Sequence, residues 1–566
     1  MSARGFLAAF GVDEPGLLEG AARRHGLRAQ PLPAGSFYLG SDLAVTREGA
    51  AIIIGDAFPH PVDGTQRWGD YLRFVFAGRA RCQIDRAPLT GMPLYWARWQ
   101  GGFLCFSHLH LAEDLLPTLA IDWDFVRHSL AYRNYRCERT GIAGVSELLP
   151  GMRLTIHDRA ASTHCFWLPW PYASVGADVD KSRAAAMVRQ CGLMCVERWA
   201  ARPGEILVEL SGGLDSSIIA AALTACGRAF TGVNAATATP DGDERCFARA
   251  VAAASGIRLF ERRIGDADPD LLAPPARRTS RPAAAAILDG FDAAIASAIA
   301  QGQEGAQLWS GIGGDNVFAF SHSVSPAIDA LLLLRWRAPL AQLLGDIAVV
   351  AGTTYWDAAK YLARRLMRGA ARPDWPRDDI FAARSALPTA PFAHPWRADA
   401  DTFPPGKRQH VEGVMRILDF LDKPDRWHDR KLVAPLLSQP LVETCLAIPS
   451  WHWIAGGRDR AVARAAFAPY LPQAIIARRT KGRLEALCAA VFERAREDLA
   501  AFLLGGRLAS QGLLDRKAME GYFARDGVDP DFAYFRLLEI ADLERWVRAI
   551  EAASRPGGAS AAQRLY

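Results

Sequence analysis

A chain of 566 residues, half of them hydrophobic and 22% charged, with 49 Gly and 34 Pro spread along it, has a globular composition and is too long for one ordinary core. Its 66 basic and 61 acidic residues leave a net charge of +5, which excludes global disorder and does not suggest a nucleic-acid binder. Ten scattered cysteines, without a C-x-x-C pair or a zinc-like His spacing, read as reduced and mostly buried thiols; Cys191 and Cys195, four apart, do not make a metal site.

The N-terminal "MSARGFLAAFGVDEPG" has one Arg and a short apolar piece that soon meets Asp13 and Glu14, so it fails as a signal peptide. No run of 18 apolar residues occurs, and "AIDALLLLRW" is cut by Arg335, so no transmembrane helix, no membrane partner and a cytoplasmic location are expected. From about 35 to 165, short apolar or alternating runs such as "AIIIGDAF", "YLRFVFAG" and "GFLCFSH", separated by Gly, Pro and Asp, predict a β-rich layer. After "HCFWLPWPYASVGADVD" the texture changes to an Ala-rich helical pattern, which places a domain boundary between 168 and 182.

The next segments alternate. An apolar strand (206–210), a loop, a helix from about Ser216 to Cys226, a strand from Phe230 to Ala236 and a helix from about Glu244 to Ser255 predict a parallel, doubly wound α/β sheet. Beyond 325 the chain reads as mostly helical. The Pro-rich span 369–409 is the exception, and it predicts a long surface excursion or flexible lid; the final "SRPGGASAAQ" reads as frayed.

The loop "SGGLDSS" after the first parallel strand has a chemistry of its own. In open α/β sheets, ligands bind where strand ends lead into helix N-termini. Gly212 and Gly213 let backbone N–H groups approach an anion, and Ser211, Ser216 and Ser217 add hydroxyls beside the positive end of a helix dipole. No Lys precedes the Ser, so this is not a Walker A loop. Asp215 is repulsive inside an anion cradle unless a cation such as Mg²⁺ intervenes. A Gly-rich turn with Ser and Asp capping a helix is the plain alternative.

"LVELSGGLDSSIIAAAL" resembles the pyrophosphate loop of the ATP pyrophosphatases, in their asparagine-synthetase-like branch, and "LWSGIGGDNVF" resembles that family's second loop, with Asp315 on its metal-binding aspartate. "GDERCFARAVAAASGI" and "LPQAIIARRTKGRLEAL" resemble further family elements, the latter placing Lys481 on the catalytic lysine. In the first half, "WGDYLRFVFAG", "IDRAPLTGMPLYWARWQGGFLCFSHL" and "GVSELLPGMRLTI" resemble the family's amidotransferase-like domain. The resemblance implies a degenerate Ntn-amidotransferase-like domain over 1–168 and an ATP-pyrophosphatase synthetase domain over 183–566. It implies an ATP site including Leu210, Val233, Ser310 and Gly311, and Mg²⁺ held by Asp215 and Asp315.

Three departures decide between functions. Asparagine synthetases begin Met-Cys, the Cys being the glutaminase nucleophile; here the position is Ser2, and the ammonia-site segment is replaced by "IGDAF". Ile312 stands where asparagine synthetases carry Glu and β-lactam-forming synthetases Tyr, and Asn316 replaces the Glu after the metal aspartate. "VAPLLSQPLVETCLAIPSW" resembles the corresponding segment of the lasso peptide cyclases. That resemblance implies adenylation of an Asp or Glu side chain of a core peptide and closure of a macrolactam by the peptide's own amine, with a precursor peptide as substrate and a leader peptidase as partner. The alternatives are another carboxylate-adenylating amide synthetase acting on a small molecule, or an inactive scaffold for a peptide-processing partner. His428, Asp429 and Glu412 are candidate bases for the amine, with capping or surface roles as the alternative.

Overall fold

Period-2 burial in the first strand explains how the N-terminal half is layered. In β1 (Phe6–Phe10), Phe6, Ala8 and Phe10 face one core and Leu7 and Ala9 another, so the strand is covered on both sides. The computed structural model describes residues 5–12, 16–32, 35–41, 43–77, 81–174, 179–237, 242–264, 270–282, 285–302, 305–367, 375–421, 432–479, 485–525, 527 and 532–554. Further strands are β2 (Arg28–Ala29), β3 (Ser36–Leu39), β4 (Val45–Glu48), β5 (Ala51–Pro59), β6 (Arg67–Ala77), β7 (Arg81–Arg86), β8 (Tyr95–Trp99), β9 (Gly102–Phe106), β10 (Val145–Glu147), β11 (Met152–His157) and β12 (Ala160–Cys165). They form two six-stranded antiparallel sheets, β10-β8-β9-β1-β3-β2 and β12-β11-β7-β6-β5-β4. Ile52, Phe74 and Ile84 of the second sheet share a core with Phe6 and Phe37 of the first, and Phe6 meets Phe74 edge-on at 6.2 Å.

The second half is built on a five-stranded parallel sheet: β13 (Ile206–Glu209), β14 (Thr231–Ala236), β15 (Leu259–Arg263), β16 (Gln307–Ser310) and β17 (Leu432–Val433), in the order β15-β14-β13-β16-β17. The chain therefore runs outward from β13 in one direction, then returns to lay β16 against its other edge, with Glu209 opposite Ser310. The carboxyl ends of β13 and β16 flank the switch point, where such sheets bind ligands. Leu207 faces one core and Ile206 and Val208 the other, as a strand buried on both faces requires.

Element boundaries differ little from the expected ones. The helix expected near Ser216 begins at Leu214, because Gly213 is already an extended N-cap; the strand begins at Thr231 and the second helix at Arg245, closed by Gly256 in the left-handed region (φ 65°). The expected surface excursion at 369–409 is, where described, anchored to the body by a few buried side chains. Its described part is a strap, and the helix Pro405–Phe420 already starts within its last residues. Trp375 and Trp396 are buried; Trp375 Nε1 donates to the Arg133 carbonyl (3.0 Å), Tyr135 Oη to Phe392 (2.6 Å) and Trp170 Nε1 to Trp396 (2.8 Å). Large aromatics in the strap outweigh its proline content.

Buried polar groups join the two halves. Glu147, wholly buried, accepts from Arg86 Nη1 (2.7 Å), Arg136 Nε (2.8 Å) and Arg281 Nη1 (3.0 Å), and Arg281 Nη2 continues to Asp419 (2.6 Å) on the helix Pro405–Phe420. Burial alone would push the Glu147 pKa up, but the three guanidiniums reverse this and take it down to about 2. At the far end, Trp546 of the helix Ala533–Ser554 rests on Gly141, where a Cβ would stand 2.3 Å from the ring, and Trp546 Nε1 donates to Thr279 (2.9 Å). No helix among the described residues is long and apolar enough to cross a membrane.

Candidate active site

The first loop follows β13 directly. Gly212 has φ +76°, and a Cβ on it would lie 2.6 Å from the Ala248 nitrogen, so only glycine lets the helix Arg245–Ser255 pack on the turn. Gly213 N donates to Ser211 Oγ (3.2 Å), whose oxygen lies 3.1 Å from Ser216 Oγ. Ser217 donates to the Gly213 carbonyl (2.6 Å) and is buried, so its hydroxyl braces the helix start rather than facing the cleft.

The second loop closes on the first. Gly311 lies so near that a Cβ would stand 2.6 Å from the Ser216 nitrogen, and a Cβ on Gly314 would stand 2.4 Å from Asp215 Cγ. These two glycines let loops from adjacent strands meet. Asp315 sits in the first turn of the short helix Gly314–Val317, and Asn316 Nδ2 donates to the Gly413 carbonyl (2.8 Å), tying the loop to the helix Pro405–Phe420.

Arg460 is what both aspartates converge on. Its Nη1 donates to Asp215 Oδ1 and Oδ2 (3.2 and 3.1 Å) and also bonds Asp315, while its Nε donates to Asp459 Oδ1 (2.9 Å). Burial works against its charge, but Asp215, Asp315 and Asp459 raise its pKa further above the ordinary arginine value. The residue holds φ +48°, an uncommon conformation for a branch-free but bulky side chain and one concentrated at functional sites. Arg464 Nε donates to the Asp459 carbonyl (3.1 Å); Arg478 Nη1 donates to the Gly212 carbonyl (3.0 Å), pairs with Glu244 and stacks on Phe247 at 4.0 Å.

These groups line one cavity of about 360 Å³. Its wall includes Leu210, Ser211, Gly213, Asp215, Ser216, Val233, Ser310, Gly311 and Asp315 of the expected site, but not Gly212 or Ser217. Sequence reasoning missed Arg460 and Arg464, gave Arg478 no role, and missed Phe291, Ile417 and Phe420 on the apolar part of the wall. The available signal was "GRDRAVARAAF", an Arg-Asp-Arg ahead of an Ala-rich helix start. Ile312 lines the cavity and packs on the core, presenting an alkyl group with no proton acceptor. Glu412 is half-buried and off this wall; Ser2, His428, Asp429 and Lys481 lie outside the described residues.

The donor set suits Mg²⁺. Two carboxylates meet at a position already holding positive charge, and Mg²⁺ is commonly bound by one or two carboxylates with phosphate oxygens and water completing its shell. No cluster of three or more His, Cys, Asp or Glu suited to a metal occurs among the described residues. The "SQPLVE" segment, by contrast, is a buried knot. Ser438 accepts from Trp199 Nε1 (3.0 Å), and Glu443 accepts from Trp167 Nε1 and Gln439 Nε2 (both 2.8 Å) and lies 2.9 Å from His60 Nε2.

The asparagine synthase family model matches residues 195–548. No curated protein matches. Two solved structures are alike in part, each 10% identical. One is an allosteric regulatory enzyme of purine biosynthesis (38% of this chain and 50% of that one, TM-score 0.13). The other is the glutamine phosphoribosylpyrophosphate amidotransferase of B. subtilis complexed with ADP and GMP (54% and 81%, TM-score 0.17). The chain thus spans half the length of the first, and nothing about substrate or partner is carried over from either.

Proposed function

We propose, from the premise that this chain belongs to the asparagine synthase family and so is an ATP-dependent amide-bond-forming ligase, that it closes a macrolactam in a peptide, in the manner of a lasso peptide cyclase. A side-chain carboxylate of the peptide attacks the α-phosphorus of ATP; the bond to the bridging oxygen breaks, pyrophosphate leaves, and an acyl adenylate remains. The peptide's amine then attacks the acyl carbon, AMP departs with the bonding electrons, and the nitrogen gives up a proton to become an amide. Carboxylate is a poor electrophile and AMP a good leaving group, and an amine tethered in the same molecule gains effective concentration.

Each part of the site has work in that sequence. The helix N-terminus at Leu214, with the hydroxyls of Ser211 and Ser216, receives phosphate oxygens. Arg460, Arg464 and Arg478 form a cationic wall for the departing pyrophosphate. Asp215 and Asp315 would hold Mg²⁺, which when bound neutralises charge along the triphosphate. Lys481, by its resemblance to the family's catalytic lysine, would offset charge on the α-phosphate during attack.

The observation that carries this reading is the convergence of Asp215 and Asp315, from the ends of adjacent parallel strands, on one cation in one cavity. One departure favours the tethered amine over ammonia: Ile312 stands where the small-molecule synthetases carry Glu or Tyr. Pyrophosphate release with ATP and Mg²⁺ tests it. Release only with a leader-free peptide bearing a free N-terminus and an acidic residue a short distance along supports the cyclase; release with free aspartate overturns it.

A further inference from the structure

Between the second loop and the strap lie three helices that take no part in the proposed chemistry: Ser325–Leu334, Leu340–Ala351 and Tyr355–Met367. They share a small core of Ile328, Leu344, Ile347, Ala358 and Leu362. At 100° per residue, the stripe of the third helix opposite Ala358 and Leu362 is Trp356, Lys360, Arg364 and Met367. Trp356 is 72% exposed and Met367 79%. The turn after the first helix sets Trp336 out at 84%, with the Arg337 guanidinium 5.1 Å from its ring centroid, and Leu332 beside it at 56%. Single exposed apolar residues are ordinary, but this many on one small unit are not.

Cations outnumber acids on the exposed face of the unit. Arg335, Arg337, Lys360 and Arg364 are exposed and make no ion pair among the described residues. The exposed acid on the third helix, Asp357, accepts from Thr354 Oγ1 (2.6 Å) and keeps its negative charge near Lys360, so the cations remain in excess rather than alone.

We propose that this unit is a docking surface for an anionic bilayer. Protruding tryptophan and methionine side chains insert at headgroup level, and the cations between them meet lipid phosphates. A second copy of the chain is a poor occupant, since like charge would face like charge. A protein partner would need pockets matched to side chains that stand this far off the surface, whereas a bilayer needs none. A spanning helix is not required, because the docking is peripheral. The inference does not rest on the cyclase reading.

The test is co-sedimentation of the full chain with phosphatidylcholine vesicles, with and without phosphatidylglycerol, at low and high salt, read together with tryptophan emission. Binding only to phosphatidylglycerol vesicles, a blue shift on binding, and loss at high salt are expected. The variants Trp336→Ala/Trp356→Ala and Lys360→Glu/Arg364→Glu are expected to weaken binding about tenfold or more while leaving the melting temperature and pyrophosphate release unchanged. Failure to bind phosphatidylglycerol vesicles, or wild-type binding by both variants, overturns the proposal. So does concentration-dependent self-association that either variant abolishes, which would assign the surface to a second copy. Loss of pyrophosphate release with vesicle binding intact bears on the cyclase reading alone.

Discussion

Arg460 donates through a single nitrogen to both carboxylate oxygens of Asp215, at 3.2 and 3.1 Å, and the same nitrogen reaches Asp315. A guanidinium thus stands where the two aspartates would hold a divalent cation. Arg460→Met removes that competitor. Hydrogen bonds to charged groups are worth roughly 1.5–3 kcal/mol, so the variant should bind Mn²⁺ about tenfold more tightly by calorimetry. Its turnover should nevertheless fall about a hundredfold or more, because the wall for pyrophosphate loses a charge. Unchanged Mn²⁺ affinity would show that the arginine and the metal do not compete.

The approach of the two loops gives a second expectation. Gly314→Ala would put a methyl group 2.4 Å from Asp215 Cγ and push that carboxylate off its partner. Overpacking of this kind costs about 1–3 kcal/mol. The variant should fold, melt a few degrees lower, and lose Mg²⁺-dependent ATP binding in a fluorescent-nucleotide titration. Full ATP affinity would mean that the two loops separate in the working enzyme.

Asp215→Asn and Asp315→Asn should each reduce pyrophosphate release by about a thousandfold or more; each also withdraws an anion from buried Arg460, so the melting temperature should fall by a few degrees while the fold persists. Lys481→Ala should bind ATP almost normally and fail in turnover. Activity equal to wild type in that variant would remove Lys481 from the chemistry.

Glu147 makes the protein acid-sensitive. Its folded pKa of about 2 lies below the ordinary glutamate value, so its contribution to stability is complete above about pH 4.5 and is lost as pH falls towards 2. Glu147→Gln leaves three buried arginines without their shared anion and should cost about 3–5 kcal/mol at pH 7. The penalty should shrink on acidification, as denaturant midpoints at neutral and acid pH would record. A constant penalty would mean that the cluster matters by shape alone.

Much of the site was legible because its chemistry is local. "SGGLDSS" and "SGIGGD" each carry, within seven residues, the glycines a tight turn needs and the carboxylate a cation needs, directly after an apolar strand. Arg460 was not legible, because it arrives from a helix start some 245 residues after Asp215, and nothing local distinguishes it from a solvated arginine. Ser217 looked like a phosphate donor by position, yet its hydroxyl serves the Gly213 carbonyl in its own helix turn. Pro-rich composition concealed the strap, whose tryptophans decide its packing. "SQPLVE" offers substrate no free polar group along Glu443, which is shared among Trp167, Gln439 and His60.

The contact of Trp546 with Gly141 and Thr279 has a consequence for how such a protein can be altered. The last long helix returns to the first half, where Ser554 Oγ also donates to the Leu119 carbonyl at 2.7 Å. The first 168 residues cannot be discarded, because they are the floor on which the final helix lies. Cutting the polypeptide after residue 174 should therefore yield two fragments that purify together, while expressing the second fragment alone should yield aggregate.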